Sequence, residues 1–262
     1  MSSTEGARTF FRVAGSAYDR FMGRYSHVLA APFVDTVGPS PGDRVLDVGC
    51  GPGALTEELV RRLGAEAVAA VDPSDTFVEE CRRRNPGADV QAGRAEALPF
   101  PDGGFDAAFA QLVLHFVTDP ETAAGEMRRV LRPGGKAAAC VWDFAEGMEL
   151  LRSFWETARA VEATAPEAST TRFGKDGEIA ELFEAAGFHD VTSGALEVEA
   201  AYDDFDDLWA GFLAGSSPAG SFCAGLAPEP QNRLREELHH RLGDPEGPFS
   251  LPARAWYAVG LA

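Results

Sequence analysis

Val45-Leu-Asp-Val-Gly-Cys-Gly-Pro-Gly53 decides how the chain is read. Arg44–Val48 is a short apolar strand carrying one acid, Asp47. It runs directly into a glycine turn. Leu55, Leu59, Val60 and Leu63 then recur at helical spacing until Gly64. Glycine lets the backbone take tight angles and approach a ligand closely. The helix behind it offers N–H groups at its first turn. Such a strand–turn–helix cradles a nucleotide or nucleoside.

Working outward, Ala67–Val71 is a second strand that ends in Asp72, 19 residues after Gly53. An acid at that strand tip is placed to accept hydrogen bonds from ribose hydroxyls at a sheet switch point. Ser74 caps a helix through Arg84. Asp89–Gln91 is a third strand and Phe105–Leu114 a fourth. Asp119-Pro120 opens a helix, and Pro133-Gly-Gly turns the chain into a fifth strand, Lys136–Trp142. Strands alternating with helices imply crossover connections and a mostly parallel, doubly wound sheet, an α/β fold.

Both ends depart from this rhythm. Phe10, Phe11, Ala14, Ala17, Tyr18, Phe21, Met22 and Tyr25 form a helical stripe, with Pro32 expected just beyond it. After Asp143 a stripe from Leu150 to Val161 reads as helix. Asp176 is expected to cap a helix closed by Gly187. A strand follows over Phe188–Val198, then a helix around Phe205–Leu213. Gly215–Gly225 reads as a loop, Gln231–Leu242 as a polar helix and Phe249–Val259 as the last strand. The organisation expected is N-terminal lid helices over 1–32, a cofactor-binding α/β core over 33–143 and cap helices over 144–187. Residues 188–262 complete the sheet and carry an inserted helical cap at about 203–245.

Gly49-x-Gly51-x-x-Ala54 also satisfies a dinucleotide fingerprint, so a NAD(P)-linked oxidoreductase is the competing reading. Asp47 argues against it. A carboxylate two residues before the glycines would repel a pyrophosphate and attract a cationic aminoacyl sulfonium.

Five stretches in order resemble the class I S-adenosylmethionine-dependent methyltransferases, in their ubiquinone/menaquinone-biosynthesis-like (type-11) group. They are Val45–Gly53, Val71-Asp-Pro-Ser74, Ala95-Glu-Ala-Leu-Pro-Phe-Pro-Asp102 with Phe105-Asp106, Glu126-Met-Arg-Arg-Val-Leu-Arg-Pro-Gly-Gly135, and Tyr18-Asp-Arg-Phe-Met-Gly-Arg-Tyr25. The resemblance implies a Rossmann-like, seven-stranded, mostly parallel sheet with a helical cap. It implies S-adenosylmethionine as cofactor and transfer of its methyl group to an O, N or C atom, without specifying the acceptor. The aromatic residues outside the sheet, among them Phe154, Trp155, Trp209 and Phe212, suit an apolar or aromatic small molecule. A protein on this fold that binds the cofactor without methylating is the other alternative.

By the resemblance, Gly49, Gly51 and Gly53 line the methionine and ribose portions of the cofactor. Asp47 holds the amino group and Asp72 the ribose hydroxyls. Ala95 and Glu96 flank the adenine, with Phe77 as a face for the ring. Gln111 touches the methionine moiety. Tyr18 and Arg24 close over the cofactor, Arg24 against its carboxylate. The group often carries Gly-Asp-Ala-Glu where this chain has Gly93-Arg94-Ala95-Glu96, so Arg94 cannot supply the usual carboxylate. His115, just past the fourth strand, is the candidate general base.

Other features carry less. Cys50, Cys81, Cys140 and Cys223 form no disulfide framework, and Cys50 reads as a small buried filler. No metal-ligand spacing and no Gly-x-Ser-x-Gly elbow is present. His239-His240 read as surface. Asp203, Asp204, Asp206 and Asp207 read as a solvated helix start. With 23 Lys+Arg against 41 Asp+Glu, the formal net charge over 262 residues is −18. That disfavours nucleic acid and anionic membranes and leaves a small-molecule substrate. No apolar run approaches 18 residues, and a cytoplasmic protein is expected.

Overall fold

The computed structural model describes residues 19–162, 165, 172–215 and 217–262. The N-terminal stripe Phe10 to Tyr18 lies outside the described residues. A π-helical turn, Asp19–Gly23, leads into α1 (Arg24–Val37). The alternating core follows: β1 (Val45–Val48), α2 (Ala54–Leu63), β2 (Val68–Asp72), α3 (Asp75–Arg84), β3 (Asp89–Ala92), β4 (Phe105–Gln111), α4 (Pro120–Val130) and β5 (Leu131–Trp142). Beyond it lie α5 (Glu149–Val161), α6 (Glu178–Ala185), β6 (His189–Tyr202), α7 (Phe205–Leu213), α8 (Pro218–Gly225), α9 (Pro228–Arg241) and β7 (Phe249–Leu261).

The seven strands form one sheet in the order β3-β2-β1-β4-β5-β7-β6. β1 pairs in parallel with β2 and β4, β2 with β3, and β4 with β5, whereas β7 runs antiparallel to β5. The doubly wound fold expected from the sequence is therefore present. The chain leaves β1 toward β2 and β3, then returns to β4 on the other side. The switch point lies between β1 and β4, where ligands bind beyond the carboxyl ends of the strands.

Two compact units divide the chain. One comprises Ser26–Trp142, Arg172–Leu196 and Ala255–Ala262; the other comprises Met1–Tyr25, Asp143–Thr171 and Glu197–Arg254. In the first, every residue of β1 and β2 is buried, as parallel strands covered on both faces must be. The middle strands are rich in alanine: Ala107, Ala108 and Ala110 on β4, and Ala137–Ala139 on β5, are all 2% exposed or less. Small side chains there let the flanking helices lie close, and Phe33 of α1 meets Phe109 of β4 edge to face at 5.8 Å.

In the second unit, Phe154 of α5 stacks on Phe212 of α7 at 4.2 Å, and Phe21 meets Phe212 at 5.1 Å. Leu234 and Leu238 are the fully buried stripe of the otherwise polar α9.

Several local expectations are corrected. Pro32 lies inside α1 rather than beyond a helix. It forfeits one backbone hydrogen bond, to Val28, whose side chain stands on the exposed face. Gly177 at φ +85°, not Asp176, occupies the cap position of α6. Gly215–Gly225 contains α8 instead of a loop. Ser217 Oγ accepts from the Gly220 amide at 2.8 Å, and Pro218 takes the first helical position. Gly220 is required there because a Cβ would come within 2.9 Å of the Phe212 carbonyl.

β5 begins at Leu131, and its register on β4 jumps from Leu131 to Lys136, so Arg132–Gly135 bulge from the ladder. The acidic run is also more than a solvated start. Asp204 caps α7, Asp206 pairs with Arg235, and Asp207 pairs with Arg24.

Candidate active site

The strands β1, β2, β3 and β4 are parallel, so their carboxyl ends share one edge. Gly49–Gly53 follow β1, Asp72 ends β2, Ala95 and Glu96 follow β3, and Gln111 ends β4. His115 lies in a short 3-10 turn, Leu114–Phe116, just past β4. All of these belong to the first unit.

The glycine turn is anchored from several sides. The amides of Gly49 and Cys50 both donate to the Val71 carbonyl, at 2.7 and 3.0 Å. The Gly51 amide donates to Asp72 Oδ2 at 2.9 Å, and the Ser74 amide to Asp72 Oδ1 at 2.8 Å. One amide on each oxygen leaves each oxygen a further lone pair.

The three glycines have different reasons. A Cβ on Gly49 would sit 2.5 Å from Val113 Cγ2, and one on Gly53 2.7 Å from Asn85 Nδ2. Around Gly51, at φ +53°, the same atom would meet nothing within 4 Å. Gly49 and Gly53 are thus packed against the protein. Gly51 is the member that faces open space.

Asp47 is 1% exposed on β1 and accepts from the Thr56 hydroxyl at 2.6 Å. Burial pushes its pKa up to about 7, and the nearby charge of Asp72 adds to the rise. Burial likewise raises Asp72, against its two amide bonds. Two carboxyls whose ionised forms are disfavoured share this edge, and a cation beside them would relieve both. Gln111 is tied by Nε2 to the Ser26 carbonyl at 3.0 Å, while its buried Oε1 has no hydrogen-bond partner. A buried orphan acceptor is costly. With Asp47, it is the kind of group an ammonium would satisfy.

Ala95 is buried and Glu96 half-buried, and Glu96 Oε1 accepts from the Thr118 amide at 3.2 Å. Burial pushes Glu96 upward, but hydrogen bonds from its own amide, Arg94 and Thr118 hold it below the usual carboxylate range. Arg94, the departure noted above, reaches Glu96 at 3.3 Å. Phe77, 5% exposed, belongs to the core.

His115 is half-buried against the ring of Phe116, with centroids 3.9 Å apart. Burial pushes its pKa down to about 3, so it is neutral at physiological pH and a weak base. Arg24 belongs to the other unit. It forms a two-pronged pair with Asp207 at 2.7 and 2.8 Å, donates to the Ala201 carbonyl and lies over the Tyr202 ring. Tyr18 lies outside the described residues.

Sequence reasoning passed over three contributors. Thr56 holds Asp47, and its signal was a hydroxyl on the buried first turn of α2. Val113 fills the place a Gly49 side chain would take. Leu112, directly after Gln111, has φ +62°, a left-handed conformation that costs a non-glycine residue about 1–2 kcal/mol. No one-dimensional pattern announces it.

The fold is of the doubly wound α/β class, and this edge is its candidate ligand site. Residues 46–139, from β1 into β5, match the family model described as a methyltransferase domain. The resemblance found in the motifs therefore holds over this stretch.

A demethylmenaquinone methyltransferase from Renibacterium salmoninarum is 45% identical over 103 residues, 39% of this chain and 43% of that protein. An uncharacterized methyltransferase from Mycobacterium tuberculosis is 40% identical over 133 residues, 51% of each chain. The matches span about half or less of the length of these curated relatives. Among solved structures, phosphoethanolamine N-methyltransferase 2 of Haemonchus contortus, in complex with S-adenosyl-L-methionine, superposes with a TM-score of 0.53. The identity is 16%, over 89% of this chain and 52% of that one, which supports the shared fold. No helix among the described residues is long and apolar enough to cross a membrane.

Proposed function

We propose that the chain binds S-adenosylmethionine at the β1–β4 edge and transfers its methyl group to a small-molecule acceptor. The observation that carries the reading is the spare accepting capacity gathered at that edge. Asp47 is a carboxyl lifted to about 7, Gln111 Oε1 is an orphan acceptor, and Asp72 keeps a lone pair on each oxygen. These are partners for an ammonium and for a ribose diol.

Asp47 and Gln111 hold the amino group of the cofactor, and Asp72 accepts from the ribose hydroxyls. Gly51 lets the backbone come close, and Ala95 and Glu96 border the adenine. When bound, the sulfonium supplies an activated methyl carbon to a nucleophile arriving in line. The protein then has to position the reactants and exclude water.

The weak basicity of His115 favours an acceptor that needs no strong protein base, such as an electron-rich ring carbon or a neutral amine. The name of the Renibacterium relative, a demethylmenaquinone methyltransferase, agrees with a quinone-type carbon. That match covers 39% of this chain and 43% of the relative.

Incubation with methyl-labelled S-adenosylmethionine and a panel of hydroquinones, phenols and amines tests the activity. Label passing into a hydroquinone or an amine, with S-adenosylhomocysteine released, is expected. Tight cofactor binding with no transfer to any member would favour a protein that binds without methylating.

A further inference from the structure

The chain leaves β4 under constraint. Leu112, the residue after the strand, holds φ +62°, and its amide donates to the Cys140 carbonyl of β5 at 2.9 Å. A left-handed leucine persists only where its surroundings impose it, and such positions cluster at ligand sites. The residues that follow are pinned in turn. Val113 packs against Gly49, where a Cβ would come within 2.5 Å of it. Leu114 is 1% exposed. The Phe116 amide donates to the Val113 carbonyl at 2.8 Å, and the Thr118 amide to Glu96 Oε1 at 3.2 Å. All of these residues belong to the first unit.

The loop therefore runs along the candidate cofactor edge, from the glycine turn at Val113 to the Glu96 side at Thr118. Between these anchors it presents His115 and Phe116, whose rings are 3.9 Å apart and tilted by 45°. Phe116 is nonetheless 56% exposed, the most of the exposed large apolar residues described; the others are Val28 and Leu213. A single exposed apolar side chain needs no explanation by itself. One carried by a strained, pinned backbone beside a ligand edge is a different matter. Leu112–Thr118 contains no Asp, Glu, Lys or Arg, and burial keeps His115 neutral. The loop offers aromatic surface and no charge.

We propose that Phe116, braced by His115, is the stacking surface for the methyl acceptor, and that the acceptor is an uncharged planar aromatic ring of the phenol or hydroquinone class. This rests on the functional reading above and names the substrate class of the same site. Aromatic rings pack offset or edge to face with centroids about 4.5–7 Å apart. A ring laid on Phe116 gains that contact and covers the apolar surface the loop leaves open. A saturated ring of the same carbon skeleton lacks the flat face, and a charged acceptor finds no counter-charge on the loop. His115 contributes a ring here, not a base.

Two titrations test the proposal. The first measures S-adenosylhomocysteine binding to wild type and to Phe116→Ala. The second, with S-adenosylhomocysteine in excess, measures 2-naphthol and its saturated counterpart, decahydro-2-naphthol. Wild type should bind 2-naphthol about tenfold more tightly than the saturated alcohol, the scale of one good aromatic contact. Phe116→Ala should lose about tenfold toward 2-naphthol and keep its affinity for S-adenosylhomocysteine. Phe116→Tyr, which keeps the flat ring, should retain the preference.

Equal binding of the two alcohols by wild type, no binding of 2-naphthol, or unchanged 2-naphthol affinity in Phe116→Ala would each overturn the proposal. So would a parallel loss of S-adenosylhomocysteine binding in that variant, which would make Phe116 a support of the cofactor edge. Wild type that fails to bind S-adenosylhomocysteine would overturn the functional reading and the acceptor role with it. The first titration thus reports on the functional reading and the second on Phe116.

Discussion

The carboxylate of Asp72 holds the Gly51 amide at 2.9 Å, binding the tip of β2 to the one glycine of the turn that faces open space. The same carboxylate takes the Ser74 amide at the start of α3. One side chain therefore fixes both walls of the candidate cofactor site and is proposed to hold the ribose.

This double duty separates two variants. Asp72→Asn keeps one acceptor oxygen and loses the charge, and should weaken S-adenosylhomocysteine binding about tenfold, the loss of one charge-assisted hydrogen bond. Asp72→Ala also unties the turn, and should cost about a hundredfold or more. Calorimetric titration reads both. Equal, small effects would mean that Asp72 serves only as a cap.

Asp47 sets stability against binding. A carboxyl whose folded-state pKa is raised from 3.8 to about 7 stabilises the fold below the lower value and loses that contribution as pH rises through the higher one. Asp47→Asn should therefore melt higher than wild type at pH 8, by about 2–4 °C for each kcal/mol recovered. The gain should vanish near pH 4. The same variant should bind S-adenosylhomocysteine more weakly at pH 8, where wild type presents a carboxylate to the ammonium. Melting curves at the two pH values check the first part and titration the second. An Asn variant that melts lower at pH 8 would contradict the burial argument.

Gly49 and Val113 should show coupling. Gly49→Ala meets Val113 Cγ2 at 2.5 Å and also strains a backbone at φ +76°. The double variant with Val113→Ala should be more stable than the sum of the two single effects predicts, because the clash is gone. Backbone strain remains, so recovery should stop short of wild type. A denaturation double-mutant cycle measures this, and strict additivity would refute the contact.

His115 should leave no mark on the pH dependence of turnover. With its pKa pushed down to about 3 it stays neutral across the working range. The kcat profile should show no inflection between pH 5 and 8 that His115→Gln removes. An inflection near pH 6.5, abolished in that variant, would restore the general-base role.

The sheet was legible because its signals are local. Val45–Val48 and Phe105–Gln111 are apolar runs bounded by glycine or polar residues, and Asp72 and Gln111 fall at strand ends that topology brings to one edge. Arg24 was legible only as a residue type. Its pairing with Asp207 depends on contacts 183 positions apart, which no window contains. α8 was missed because composition outweighed the Ser217–Pro218 start signal. Thr56 was missed because holding Asp47 is a tertiary contact between a helix and a strand.

Calorimetric titration of the wild-type protein with S-adenosylhomocysteine and, separately, with NADH distinguishes the two cofactors at the glycine turn. One S-adenosylhomocysteine should bind per chain, NADH should give no heat of binding, and the first signal should be lost in Asp72→Ala that remains folded. Binding of NADH in place of S-adenosylhomocysteine, or S-adenosylhomocysteine binding that ignores Asp72→Ala, would contradict the proposed cofactor site.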